Sequence, residues 1–113
     1  MTADRSAFWR LLGLATRARK VITGSDAVEI GLRREKGFLL ILAEDMAPNG
    51  ADKLKRIADA RNITVISCGT REDMGHWTGK FERVAILIAD KGFADRLLEL
   101  HKLQKETDIE ANI

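Results

Sequence analysis

The sequence predicts a single α/β domain, a three-layer α/β/α sandwich whose central mixed sheet has about four strands. Short apolar runs alternate with segments of helical periodicity along the chain, in the order αβαβαβαβα. Each of the first three apolar runs also ends in a polar loop that begins a helix. The chain has 113 residues, enough for one hydrophobic core but not for two.

The first third of the chain predicts two helices and one short strand. Residues 5–18 carry apolar side chains at helical spacing, and residues 21–22 follow as a strand. Asp26, with Glu29 three residues later, resembles a capping box, so a second helix is expected over residues 26–35.

The middle of the chain predicts two buried strands and two helices. Residues 38–43 are apolar without alternation, which is typical of a strand covered on both faces. A third helix begins at Pro48 and stops near Asn62, and the apolar run of residues 63–68 contains the next buried strand. Thr70, with an aspartate three residues later, caps a short fourth helix.

The last third predicts one more strand and a final helix. Residues 83–89 are apolar after the first position, and the short connection before them allows antiparallel pairing. Asp90 caps the helix that follows. Because the helical pattern is lost near its end, we expect one domain over residues 1–104 and a frayed tail over residues 105–113.

Charge is distributed unevenly along the chain. The first 36 residues contain eight Lys/Arg against four Asp/Glu, whereas the remainder contains eleven against thirteen. This basic end is compatible with a polyanionic partner, and equally with ordinary solvated helix faces.

Several function classes find no support in the sequence. Cys68 is the only cysteine and ends an apolar run, so we expect a buried thiol rather than a nucleophile. His76 and His101 have no partner at metal-ligand spacing, and no catalytic triad or phosphate-binding glycine motif is present. We therefore expect no catalytic residue, no metal and no cofactor. No apolar run approaches membrane-spanning length, and the protein is expected to be cytoplasmic.

Two loops are candidate binding sites on physical grounds. Residues 23–26 precede a helix whose free amides and dipole can hold a phosphate, although an ordinary turn would look the same. Arg71 offers a planar fork for phosphate or a base, and Met74 offers either an apolar contact or a core side chain. Glu44 and Asp45 are expected to shape or cap a loop rather than form a catalytic pair.

These motifs resemble a known family. The segments TGSD, LLILAED and TREDMG, at residues 23–26, 39–45 and 70–75, are similar in order and spacing to the ribosomal protein L7Ae/L30e/Gadd45 superfamily. The segments LLGLATRARK and GKFERV, at residues 11–20 and 79–84, are similar to its small bacterial YlxQ-type branch.

The resemblance implies an L30e-like fold, no catalysis, and binding to structured RNA such as ribosomal or kink-turn RNA. It also implies that RNA is contacted by the start of the second helix and by the loop before the fourth. The residues at these positions are Thr23, Gly24, Ser25, Asp26, Thr70, Arg71, Met74 and Gly75. Lys20 is expected to lie close to the start of the second helix, at the same edge as Arg71, and both cations are expected to neutralise phosphates.

The sequence departs from the family pattern at the start of the second helix. RNA-binding members carry Gly-x-Asn-Glu there and a lysine three residues after the glutamate. Here Asp26 replaces the asparagine, Ala27 the glutamate and Ile30 the lysine. Since alanine and isoleucine cannot bond a guanine edge or a phosphate, a second hypothesis stays open. It is a protein-interaction module on the same fold, with kink-turn recognition weakened or lost.

Overall fold

The computed structural model describes residues 5–111, and the side chains of residues 6–106. Five helices and four strands alternate as the sequence predicts. They are α1 (Arg5–Arg17), β1 (Val21–Thr23), α2 (Ser25–Arg33), β2 (Leu39–Leu42), α3 (Pro48–Ala60), β3 (Thr64–Ser67), α4 (Arg71–Thr78), β4 (Ala85–Ile88) and α5 (Lys91–Ala111).

The four strands form one mixed sheet in the order β1-β4-β2-β3. β2 pairs with β3 in parallel, whereas β4 pairs antiparallel with both β1 and β2. β1, β2 and β3 therefore point the same way, and the chain enters β4 where those three strands end. We call this place the loop end of the sheet, defined by residues 23–26, 43–46, 68–71 and 81–84.

Helices cover both faces of the sheet, which confirms the three-layer sandwich. All residues of β2 and β4 are buried, and alternate side chains enter two separate cores. One core lies under α1, α4 and α5 and includes Phe8, Leu12, Leu39, Ile41, Met74, Ile86, Ile88 and Leu97. The other lies under α2 and α3 and includes Val28, Leu32, Leu40, Leu42, Leu54, Ile57 and Leu87.

The third strand differs from its prediction. We expected a buried strand, but β3 lies at the edge of the sheet and exposes Thr64 and Ser67. Within β3 only Ile66 is buried. The apolar run of residues 63–68 gains its other buried members, Ile63 and Cys68, from the two ends of the strand.

The predicted capping box at the start of α2 is absent. Gly24 is the N-cap residue, with φ 96°, and no side chain caps the helix. Because α2 begins at Ser25, Asp26 lies within its first turn rather than at the cap. Glu29 instead forms ion pairs with Lys53 and Arg33, whose hydrogen bonds lower the pKa of its carboxyl group.

The final helix is longer than predicted. Asp90 caps it as expected, since its side chain accepts a hydrogen bond from the Phe93 amide at 2.9 Å. The helix continues past Lys105 to Ala111, where we expected the pattern to be lost. The division at residue 104 stays a prediction, and residues 1–4 and 112–113 lie outside the described residues. Within residues 5–111, no helix combines the length and apolarity needed to cross a membrane.

Candidate nucleic-acid interface

The start of α4 is held by the capping box that the sequence predicts. The Asp73 amide donates to the Thr70 hydroxyl at 3.1 Å, and the Thr70 amide donates to the Asp73 carboxylate at 3.0 Å. This reciprocal pair satisfies two backbone donors that a helix start otherwise leaves open. Thr70, one of the candidate RNA contacts, is therefore exposed but already engaged.

Arg71 is tied to the loop after β2. Its amide donates to the Asp45 carboxylate at 2.8 Å, and its Nη2 donates to the Asp45 carbonyl at 2.7 Å. Nε lies 3.5 Å from the same carboxylate. The loop-forming role predicted for Asp45 is confirmed. Since Asp45 holds two guanidinium nitrogens, Arg71 acts first by joining two loops, and only its remaining surface is available to a ligand.

Two other candidate residues of α4 are buried. Met74 has no exposed surface and packs in the core under α1 and α5. This position does not agree with the predicted contact between Met74 and RNA. It agrees with the alternative, that Met74 is a core side chain. Gly75 is also buried, and a Cβ atom there would lie 2.5 Å from the Phe81 carbonyl oxygen. Only glycine lets the chain before β4 pass so close to α4.

The start of α2 is open in comparison. Ser25 and Asp26 are exposed, and neither side chain caps the helix. A Cβ atom built on Gly24 would meet nothing within 4 Å. No side chain caps the first amides of α2, and they lie at the positive end of the helix dipole, which favours a phosphate group.

Arg83 and Phe81 reach the loop end from the segment before β4, and the sequence analysis did not select them. The Arg83 amide donates to the Arg71 carbonyl at 3.1 Å, and its Nε donates to the Thr23 hydroxyl at 3.4 Å. Arg83 thus connects α4 with β1. Phe81 is 90% exposed. One sequence signal could have identified them. The short connection before β4 allowed antiparallel pairing, and an antiparallel β4 begins at the loop end.

Lys20 lies away from the other candidates. It precedes β1, and its carbonyl accepts a hydrogen bond from the Ala89 amide, just beyond the last residue of β4. Its backbone is therefore at the opposite end of the sheet from Thr23. We expected Lys20 and Arg71 to face the same edge, and the direction of β1 separates them.

The departures from the family pattern are on the surface of α2. Ala27 is exposed and Ile30 is 53% exposed. They are three residues apart and share one helix face. The side chains that replace the family's glutamate and lysine are thus positioned to meet a partner, but they offer it only apolar atoms.

The remaining polar and aromatic candidates are part of the packing. Trp9 stacks on Trp77 with ring centres 6.5 Å apart, so the two rings pack against each other. His101 is buried beside Phe8, and its burial lowers the pKa of the imidazole, helped by Lys105 and opposed by Glu44. Among the described residues, no group of three His, Cys, Asp or Glu side chains is arranged to hold a metal ion.

The elements described above define a small protein with a three-layer α/β/α fold. This agrees with the comparison with known families. The model of the ribosomal protein L7Ae/L30e/S12e/Gadd45 family matches residues 7–98, and the chain belongs to this family.

Two relatives and two solved structures are similar over nearly their whole length. The RNA-binding protein YlxQ of Bacillus subtilis (strain 168) is 37% identical over 80% of this chain and 90% of its own. The RNA-binding protein YlxQ of Enterococcus faecium is 30% identical over 86% and 93%. A protein of unknown function from Bacillus halodurans has a TM-score of 0.80 at 35% identity, over 82% and 94%. The 15.5kD RNA binding protein of Giardia lamblia has a TM-score of 0.72 at 13% identity, over 96% and 92%, and shows the same fold.

Proposed function

We propose that this protein binds structured RNA at the loop end of the sheet, without catalysing a reaction on it. The observation that carries the proposal is the start of α2, which no side chain caps and which follows Thr23, the hydrogen-bond partner of Arg83. The names of the two bacterial relatives, which describe RNA-binding proteins, support it. Cytoplasmic RNA, ribosomal RNA included, is the expected partner.

The mechanism is rigid docking of a bent RNA. The amides after Gly24 bind a backbone phosphate, and the Arg83 guanidinium neutralises a neighbouring one. Phe81, exposed in the segment before β4, stacks on a base that the bend has unpaired. Thr70 and Arg71 keep the neighbouring loop fixed so that these groups are organised before the RNA arrives.

A kink-turn is the specific RNA that the family resemblance suggests, and we expect it to bind less tightly here than to relatives with the full pattern. Ala27 makes no hydrogen bond to a guanine edge, and Ile30 supplies no positive charge. Asp26 adds a negative charge near the phosphates. The geometry of the loop end would then still favour a bent RNA over a straight one. It would discriminate less between base sequences at the centre of the bend.

The test is a titration of labelled RNA, using a kink-turn duplex and a straight duplex of equal length and composition. Wild type should bind the bent RNA more tightly, with an affinity that falls steeply as salt rises. Arg83→Gln should weaken binding about tenfold, whereas Arg56→Gln, an exposed arginine on α3, should change little. Lys20→Ala tests its predicted phosphate contact, for which its position gives no support.

Thermal melts of each variant serve as the folding control. Equal affinity of wild type for the two duplexes would contradict the proposed preference for the kink-turn. Unchanged affinity in a folded Arg83→Gln variant would remove the assignment of RNA to the loop end.

The second candidate function is protein binding at the same edge. The exposed Ile30, next to the small Ala27, favours it, because an apolar face suits a protein better than a phosphate backbone. Ile30→Asp separates the two functions. If the partner is a protein, Ile30→Asp should strongly weaken a complex whose affinity depends little on salt. If the partner is RNA, the added negative charge should reduce the affinity only modestly.

A further inference from the structure

The end of the sheet opposite the loop end is strongly basic. At this end the chain passes from α1, α2 and α3 into β1, β2 and β3, and it leaves β4 for α5. We call this surface the far end of the sheet, defined by residues 17–20, 33–38, 60–63 and 89–91. It contains eight Lys/Arg against two Asp/Glu, whereas the loop end contains two against four. Electrostatic attraction of a polyanion therefore favours the far end.

Two turns beside the end of β4 supply most of this charge. The Lys20 carbonyl accepts a hydrogen bond from the Ala89 amide, and the Phe38 amide donates to the Ile88 carbonyl, each at 2.8 Å. The turn before β1 and the turn before β2 therefore flank β4, separated by two strand spacings, about 10 Å. Their cations are all exposed, and they are Arg17, Arg19, Lys20, Arg33, Arg34 and Lys36.

Only one of these cations has a carboxylate partner among the described residues. Arg33 is paired with Glu29, and the ion pairs of residues 6–106 include none of the others. Of the two acidic residues at the far end, Asp90 already accepts a hydrogen bond from the Phe93 amide. The remaining cations can thus meet phosphate groups without first giving up an ion pair.

The backbone of the turns does not require so many cations. The turns after α1, α2 and α3 each contain a residue with positive φ, namely Arg19 at 61°, Glu35 at 55° and Asn62 at 58°. In each turn the next amide donates to a carbonyl five residues earlier, inside the helix. Cations complement the dipole at the end of a helix. The turn after α3 nevertheless forms with a single cation, Arg61, where the other two turns carry three each.

The same two turns account for the basic first third of the sequence. Six of the eight Lys/Arg in residues 1–36 lie in them. They include Lys20, which the direction of β1 separates from the RNA proposed at the loop end. This charge therefore calls for a second contact, away from the loop end.

We propose that the far end binds the phosphate backbone of a straight double-stranded RNA segment, while the loop end holds a bent one. Two basic turns about 10 Å apart can neutralise phosphates on both strands of a duplex without reaching a base edge. A single strand is held largely by bases stacked on aromatic rings, and Phe38 is the only aromatic residue of the far end. The choice of RNA rests on the proposed function, whereas the charge that attracts it belongs to the far end alone. The protein then joins two segments of one folded RNA.

The first experiment titrates a labelled straight RNA duplex of about 16 base pairs against the full chain at several salt concentrations. Arg17→Gln with Lys20→Gln changes one turn, and Arg34→Gln with Lys36→Gln changes the other. Each pair of changes should reduce the slope of log affinity against log salt by about two. The four changes together should weaken binding at least about tenfold.

The matched control is Lys55→Gln with Arg56→Gln, which removes two exposed cations from α3 and should change duplex binding little. Thermal melts separate a loss of binding from a loss of folding. If the four changes together unfold the protein, either pair alone still gives the result. Cations that only complement the helix dipoles would lower the melting temperature and leave duplex binding unchanged, and that outcome would overturn the proposal.

A second comparison separates the far end from the loop end. The far-end pairs should weaken the straight duplex more than the kink-turn duplex, and so widen the preference for bent RNA. Arg83→Gln should weaken the kink-turn duplex and narrow that preference. A preference that Arg83→Gln leaves unchanged would contradict RNA at the loop end only. A preference that the far-end pairs leave unchanged would contradict the second surface.

An anionic membrane is the competing partner for this charge, because Phe38 is half-exposed among the cations. Sedimentation with phosphatidylserine vesicles tests it. Wild type should bind the straight duplex more tightly than the vesicles at the same salt. Tighter binding to the vesicles, equal weakening by the α3 control, or wild-type affinity for the duplex in folded far-end variants would each overturn the proposal.

Discussion

Two of the helices that begin near the loop end of the sheet, α2 and α4, are built in opposite ways. α4 starts with a capping box, a double tie from Arg71 to Asp45 and a close contact between Gly75 and the chain before β4. α2 starts at an uncapped glycine with open space around it. The difference indicates which residues of the candidate interface maintain its shape and which are available to a ligand.

This contrast divides the candidate residues that the sequence proposed. At α4, Thr70, Met74 and Gly75 already have structural partners, and only part of Arg71 is available. At the start of α2, Ser25 and Asp26 are exposed and no side chain caps the first amides. The comparison therefore predicts that changes at α4 affect stability first, and that changes at α2 affect binding first.

The largest expected effect is at the core of α4. Met74→Ala should lower the free energy of unfolding by about 2–5 kcal/mol, because it empties a fully buried site between α4 and the sheet. Chemical denaturation measures the loss. The fraction that stays folded should bind RNA as wild type does, and a well-folded variant with weakened RNA binding would contradict the burial of this residue.

The next effect is steric. Gly75→Ala should cost about 1–3 kcal/mol, since the new methyl group meets the Phe81 backbone, which cannot move without shifting the segment that carries Arg83. Gly50→Ala on α3 is the matched control. Its methyl group would meet only the mobile end of Met46, at 3.2 Å, so the variant should be as stable as wild type or more so. Equal denaturation midpoints for the two variants would show that the α4 contact is loose.

The element order was predictable because each element carries a local signal. The unbroken apolar run around β2 indicates a strand covered on both faces, and the Thr70–Asp73 spacing indicates the start of α4. The Asp26–Glu29 spacing is the same, but the N-cap is Gly24, two residues before Asp26, and Glu29 pairs with Lys53 on α3 instead. Spacing alone cannot show which of several neighbouring residues is the cap.

One part of the candidate site could be predicted from the sequence, namely the loops that follow β1, β2 and β3. These strands share one direction, so the loops lie at the same end of the sheet. It was missed where it depends on β4, whose antiparallel pairing brings Phe81 and Arg83 to the loop end. The sequence also did not decide whether Met74 is buried, because a short helix has too few positions to define its apolar face. Lys20 was assigned by its nearness in sequence to Thr23, although even a three-residue strand carries the chain about 10 Å.

A smaller effect distinguishes the two helix starts directly. Thr70→Ala should cost about 1 kcal/mol, because it removes the hydroxyl that accepts from the Asp73 amide. Ser25→Ala, at the start of α2, should change the free energy of unfolding little, since no side chain caps that helix. Denaturation curves for the two variants test this pair. A cost at Ser25 equal to that at Thr70 would mean that α2 is capped in solution.

The smallest effect on stability is expected for the double change Ala27→Glu with Ile30→Lys. Both positions are exposed on one face of α2, so the free energy of unfolding should stay within about 0.5 kcal/mol of wild type. Kink-turn binding should nevertheless strengthen, because the carboxylate can accept from a guanine edge and the ammonium can meet a phosphate, each worth on the order of 1–3 kcal/mol. Titration of the kink-turn duplex at fixed salt, with the straight duplex as control, measures the gain. Ile30→Lys alone should strengthen both duplexes similarly through charge, so a gain confined to the kink-turn must come from Ala27→Glu. If the double variant binds the kink-turn no better than wild type, the loop end recognises its RNA through groups other than this face of α2.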